Sequence, residues 1–159
     1  GNNSSRNRQN TMDRIINKES VAICAVLNAL VLDINNIARL NLFTVITTDR
    51  AIRNRMVNYS GYAEMVNRES SYYQALNRKF VEFQPVFLNA VTMLLMGGKI
   101  EKTEEGIYDL TEEGTRMVLE MQDNQESVIK NVHQAAIHLE SLIRQTETAT
   151  WYKDLKIVL

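Results

Sequence analysis

The sequence predicts a mainly α-helical protein with a winged-helix-like core, one short β-hairpin and a long C-terminal helix. Three observations lead there. Residues 80–119 read as helix, turn, two short strands and helix. Only one Pro and six Gly occur among 159 residues, so few positions break a helix. From residue 112 onward, apolar positions recur at alternating steps of three and four, the spacing of a helix that packs along another helix.

Composition sets the outer limits. Hydrophobic residues make up 45% and charged residues 23%, as in an ordinary globular domain. A chain of this length buries roughly 70% of its unfolded surface, enough for a real core. A single cysteine, Cys24, excludes an intramolecular disulfide and a cysteine-based zinc site. No apolar run approaches the roughly 20 residues of a membrane span, and the polar N-terminus shows no apolar leader. The expectation is a cytoplasmic protein with no membrane partner. The net charge of −1 hides an asymmetry: residues 1–80 carry a net +5 and residues 81–159 a net −6. Opposed halves point to self-docking or to a charged partner.

The chain divides into an N-terminal arm (1–12), a winged-helix-like helical domain (13–119) and a long helix with an apolar tail used for packing or oligomerisation (120–159). The arm has two arginines, Arg6 and Arg8, and no apolar periodicity, so it reads as disordered. Residues 19–32 are apolar almost all round, which marks a helix buried on every side, with Cys24 as a core residue. Asp33 is placed to cap the next helix. Phe43 to Thr48 is β-branched, yet the pattern runs on through Asp49 and Arg50 to Met56. Helix is therefore favoured over strand, with Asp49 or Thr48 as a cap if 41–58 is two helices rather than one. Arg50 and Arg53 share a face, Arg55 lies to one side and Arg39 extends the set. This basic cluster suits nucleic acid or an acidic partner. A break at 59–62 precedes 64–79, which reads as one helix or as two short ones with a joint near Ser70 and Ser71. Its tyrosines lack interleaved basic residues and read as packing rather than as base-stacking platforms.

The segment from Phe80 to Leu119 carries the architecture. Pro85 suits a first helical turn, which predicts a helix from about residue 84 to Met96. Gly97 and Gly98 end it. Ile100 and then Ile107 to Leu110 form the hairpin about the Glu104-Glu105-Gly106 turn, and Thr111-Glu112-Glu113-Gly114 opens the next helix with a hydroxyl cap and acidic residues at its positive end. That helix is expected to run from 112 to about 148, with a kink near Asp123-Asn124 as the alternative that would confine the seam to 128–143. Its seam comprises Val118, Met121, Gln125, Val128, Val132, Ala135, Leu139, Leu142 and Thr146, and Ile129, Ala136 and Ile143 add a second stripe. Val118, Met121, Val128, Val132, Leu139 and Leu142, with Trp151 in the tail, are the candidate interface residues. The seam's partner is the chain's own domain, a second copy in a homo-oligomer, or another protein. The apolar terminus is expected to be docked or used for binding.

No catalytic constellation stands out, and no cofactor is expected. His133 and His138 lie five apart and point about 140° from one another on a helix, so they do not share a metal. Gly97-Gly98 is not part of a phosphate-binding loop. A DNA-reading helix presents polar and basic side chains to base edges. The corresponding helix here has no Lys or Arg, and the wing tip carries Glu101, Glu104 and Glu105 against Lys99 and Lys102. Direct DNA contact is thereby disfavoured, although the arginine cluster keeps a dimeric winged-helix DNA-binding regulator as the alternative.

In the order of its features the chain resembles the small middle components of bacterial ABC-type three-component systems, including the Lamassu-like anti-phage systems. The resemblance rests on the leucine-rich stretch from Asp33 to Arg50, Phe87-Leu88-Asn89-Ala90, Gly98-Lys99-Ile100, Gly106-Ile107-Tyr108, Thr111-Glu112-Glu113-Gly114, and the long helix with Val128-Ile129. It implies a non-enzymatic adaptor bridging an SMC-like ABC ATPase and an effector subunit, with no catalytic residue and no cofactor of its own.

Overall fold

The computed structural model describes residues 19–30, 35–124, 126–144 and 146–158. The N-terminal arm, Asp33, Gln125 and the last residue of the tail therefore lie outside the described residues. The structure is mainly helical with one two-stranded antiparallel hairpin. No helix among the described residues is long and apolar enough to cross a membrane.

Helix α1 (residues 19–29) is the central helix, buried from Ser20 through Leu27. Cys24 sits at its heart, and burial pushes the thiol up to about 12. Helix α2 (Ile37–Thr48) is buried from Arg39 through Thr47. Its cap is Asn36, whose side-chain oxygen accepts the Arg39 N–H at 2.9 Å. The β-branched stretch is helical, and its hydroxyls are satisfied within it: Thr44 donates to the Leu40 carbonyl, Thr47 to Phe43 and Thr48 to Thr44, at 2.6–2.7 Å. Asp49 then leaves helical geometry and caps α3 (Arg50–Met56) by accepting from the Ile52 N–H at 3.0 Å. Residues 41–58 are thus two helices with Asp49 as the joint.

Helix α4 (Tyr62–Glu69) and a 3-10 turn (Ser70–Tyr72) lead into α5 (Tyr73–Met96). Here the sequence expectation is corrected. Pro85 does not start a helix; it lies inside one that begins at Tyr73. Leu76, Phe80, Phe87, Val91 and Leu94 bury one continuous stripe that passes Pro85 on the far side. Val81, whose carbonyl would have bonded the missing N–H, is exposed with Pro85, so that carbonyl is left on the solvent side. The stripe's burial outweighs the lost hydrogen bond.

Gly98, at φ 69°, reverses the chain after α5 into β1 (Ile100–Lys102), and Gly106, at φ 82°, turns it into β2 (Tyr108–Leu110). Ile100 pairs with Leu110, Glu101 with Asp109 and Lys102 with Tyr108. The hairpin is anchored by the Tyr108 N–H, which donates to the Asn35 carbonyl at 2.9 Å. Thr111 caps α6 (Glu112–Asn124): it accepts the Gly114 N–H at 3.1 Å and donates to the Gly98 carbonyl. Gly114 is required by space. A Cβ there would lie 2.0 Å from the Lys99 carbonyl oxygen. Gly114→Ala is therefore expected to push the hairpin off α6 and to cost about 1–3 kcal/mol, read from the urea midpoint. Unchanged stability would show that this contact is dispensable.

The predicted 112–148 helix is also corrected. Helix is described over α6 and over α7 (Glu126–Ile143), where it ends short of 148, and α8 (Thr148–Asp154) is a separate helix that folds back. The reason is Trp151, which is fully buried against Phe43 at 6.1 Å between ring centroids. A straight continuation would carry that indole into water. Leu155 and Ile157 are buried after it, and Tyr152 donates to the Ala38 carbonyl at 2.7 Å, so the tail is docked up to the exposed Val158. Helix α7 packs on α2, α3 and α4. One hydrophobic cluster joins α1, α2, α5, α7 and α8.

Candidate functional site

The four arginines of the basic cluster meet different fates. Arg39 faces inward. Its guanidinium lies over the Phe43 and Trp151 rings, 4.8 and 5.1 Å from their centroids, and pairs with the Glu140 carboxylate of α7. It does not extend the exposed cluster, because α2 is buried on every side and α7 supplies its counter-ion. Arg55 donates twice to Glu69, at 2.9 Å each, and stacks over Tyr72 at 4.2 Å. Hydrogen bonding to Glu69 raises its already high pKa. Glu69 is itself buried and also accepts from the Tyr59 hydroxyl, whose pKa rises through burial and that bond. Arg39 and Arg55 are thus structural. Arg50 and Arg53 make no ion pair among the described residues. They line a cleft of about 600 Å³ between α3 and α7, opposite Asn131, Gln134 and His138.

The seam residues separate in the same way. Val118, Val132, Leu139, Leu142 and Trp151 are buried in the chain's own core, so in this fold they are not available to a partner. The physical reason is that α7 lies against α2, α3 and α4, which fill the role the heptad spacing left open. Met121 is half-buried, and Val128, at 51% exposure, is the interface candidate that remains accessible.

The larger accessible apolar surface is on α5. Val81, Pro85, Leu88, Thr92 and Met96 follow one another at steps of three and four on its outer face, and all are exposed, Met96 to 79%. Val86 and Met93 widen the strip. No Asp, Glu, Lys or Arg occurs between residues 83 and 98. The charge-free run was visible in the sequence; that its outer half is uncovered required the packing of Phe80, Phe87, Val91 and Leu94 on the other side.

Beside this strip the hairpin is acidic at its tip, where Glu101, Glu104 and Glu105 are exposed. Its two lysines are held locally: Lys99 bonds Glu113 at 3.2 Å, and the Lys102 ammonium lies 6.0 Å from the Tyr108 ring centroid. His138 contacts the Tyr59 carbonyl through Nε2 at 2.6 Å. Among the described residues no cluster of His, Cys, Asp or Glu converges as a metal site. Compared with known proteins, the chain matches no family model, no curated protein and no solved structure.

Proposed function

We propose that this chain is a non-enzymatic adaptor: a winged-helix-like core that binds protein where a DNA-reading relative would bind duplex. The observation that carries the reading is the exposed, charge-free face of α5. A surface of Val, Pro, Leu, Thr and Met supplies no cations for phosphates, and its one hydroxyl, on Thr92, donates to the Leu88 carbonyl at 2.9 Å, but the surface is well suited to covering by an apolar protein face. The glutamate-tipped hairpin next to it would repel a phosphate backbone. With the resemblance drawn from the sequence, the proposed partners are an SMC-like ABC ATPase and an effector subunit of a cytoplasmic anti-phage complex.

The competing reading, a DNA-binding regulator, rests on one observation: Arg50 and Arg53 on α3 make no ion pair among the described residues. The two are separated by co-expressing the chain with an SMC-like ABC ATPase and by titrating the purified chain with duplex DNA. Leu88→Asp, at an exposed position, is expected to leave the fold intact and to reduce co-purification of the ATPase by at least about tenfold, the equivalent of some 1.4 kcal/mol. Tight duplex binding that weakens steeply with salt and is abolished by Arg53→Glu would overturn the adaptor reading in favour of the regulator.

A further inference from the structure

We infer that the groove between α3 and α7 binds an acidic, aliphatic-bearing peptide segment of another protein, with carboxylates on Arg50 and Arg53 and an apolar side chain in the pocket next to them. The site meets α5 at Glu82, Phe83 and Val86 and does not involve Leu88.

The first argument is charge. Arg50 and Arg53 stand three residues apart on one face of α3, and neither pairs with a carboxylate among the described residues. Arg39 and Arg55 each have one. Two guanidiniums brought together without counter-ions repel, and an anion in the groove relieves that repulsion. Planar guanidiniums also match carboxylates bidentately.

The second argument is the wall opposite. Helix α7 presents Asn131, Gln134 and His138 to the groove, and Asn54 joins them from α3. Primary amides both donate and accept, which suits the N–H and C=O groups of a peptide backbone. A phosphate run offers acceptors only. Nε2 of His138 contacts the Tyr59 carbonyl at 2.6 Å, which holds the ring in place at the groove.

The third argument is continuity. Arg53 lines this cleft and also a neighbouring pocket of about 370 Å³, floored by Phe83, Val86, Val128 and Val132. Helix α7 serves both, with Val128 and Val132 in the pocket and Asn131 and Gln134 in the cleft. A ligand that fits both carries an acidic group next to an aliphatic side chain. Glu19, Asp49 and Glu82 also line this pocket, and Lys79 lies 3.5 Å from Asp49, so the ligand's carboxylates belong in the cleft on Arg50 and Arg53 and only its uncharged aliphatic side chain enters the pocket.

The test is an NMR titration of the isotopically labelled full chain. The probes are a capped peptide of glutamate pairs and leucines, the same peptide with serine for leucine, and a short DNA duplex. The leucine peptide should shift amides of α3 and of the outer face of α7. The serine version should bind at least about tenfold more weakly, and Arg50→Glu with Arg53→Glu should weaken the leucine peptide by about a hundredfold, a loss on the scale of two desolvated charge contacts. Arg50→Ala alone, at an exposed position, should still weaken it severalfold, so a misfolded double variant would not remove the test. Leu88→Asp should leave this binding unchanged even where it abolishes capture by α5. The inference is overturned if the leucine peptide shifts nothing in the groove, if the duplex displaces it there, or if the double variant binds it normally. It also fails if the chain self-associates and Arg50→Glu abolishes that association, since the groove would then belong to a second copy.

Discussion

Glu140→Ala is expected to destabilise the protein by about 3–5 kcal/mol, the usual consequence of removing one partner from a buried ion pair. The Arg39 guanidinium is the reason. Its residue is 2% exposed, Glu140 is 9% exposed, and the two join α2 to α7 across the core. Burial lowers Arg39 to about 10, so it remains charged at neutral pH and keeps its need for a carboxylate. Flanking rings of Phe43 and Trp151 ease the loss of water but do not replace an anion. The measurement is the urea unfolding midpoint with its slope unchanged. A loss below about 1 kcal/mol, the range of an exposed pair, would show that the pair is solvated in practice. Replacing both residues with leucine separates the penalty of an orphaned charge from the worth of the pair. The double variant should lie much closer to wild type than Glu140→Ala does, because well-packed apolar pairs replace buried ion pairs at little net loss.

Trp151→Ala is expected to cost a further, comparable amount, about 3–5 kcal/mol. The indole is fully buried and packs on Phe43, beneath the Arg39 guanidinium. Truncation opens a cavity at the point where α8 closes on α2 and removes one wall of the arginine's enclosure. The two substitutions touch the same cluster, so their effects should not add, and the double variant's deviation measures the coupling between ring and ion pair. Trp151→Phe should be far milder, within about 1.5 kcal/mol. The indole N–H has no hydrogen-bond partner among the described residues, so the phenyl ring removes an unsatisfied donor along with the volume. Far-UV circular dichroism against temperature follows both variants, since Trp151 is the sole tryptophan and fluorescence is lost with it. A Trp151→Ala protein as stable as wild type would mean that α8 does not close the core.

These two residues also show where sequence reading stops. Arg39 looked like part of an exposed basic cluster, and Trp151 like an interface anchor. Both judgements used neighbours in sequence, whereas the partner that decides for Arg39 is 101 residues away. Pro85 is similar. Locally it suits a helix start; in the fold it is carried through because Phe80 and Phe87, on the opposite side, are worth more buried than its missing N–H costs. The seam of α7 was legible as a seam, but a periodic stripe states only that something covers it, and α2, α3 and α4 do.

What the sequence determined by itself is the local grammar: a buried central helix, a helical class, a hairpin turned at Gly98 and Gly106, and a helix opened by Thr111 with Gly114 close behind. Those features depend on backbone conformations and side chains within a few residues of each other, so they are written into the order of the chain. Only the tertiary structure decided which surfaces are left over. It paired Arg39 and Arg55, left Arg50 and Arg53 without carboxylates among the described residues, covered the seam of α7, and exposed the outer face of α5. A side chain's availability is settled by whatever packs against it, and in this protein that is most often a residue from the other half of the chain.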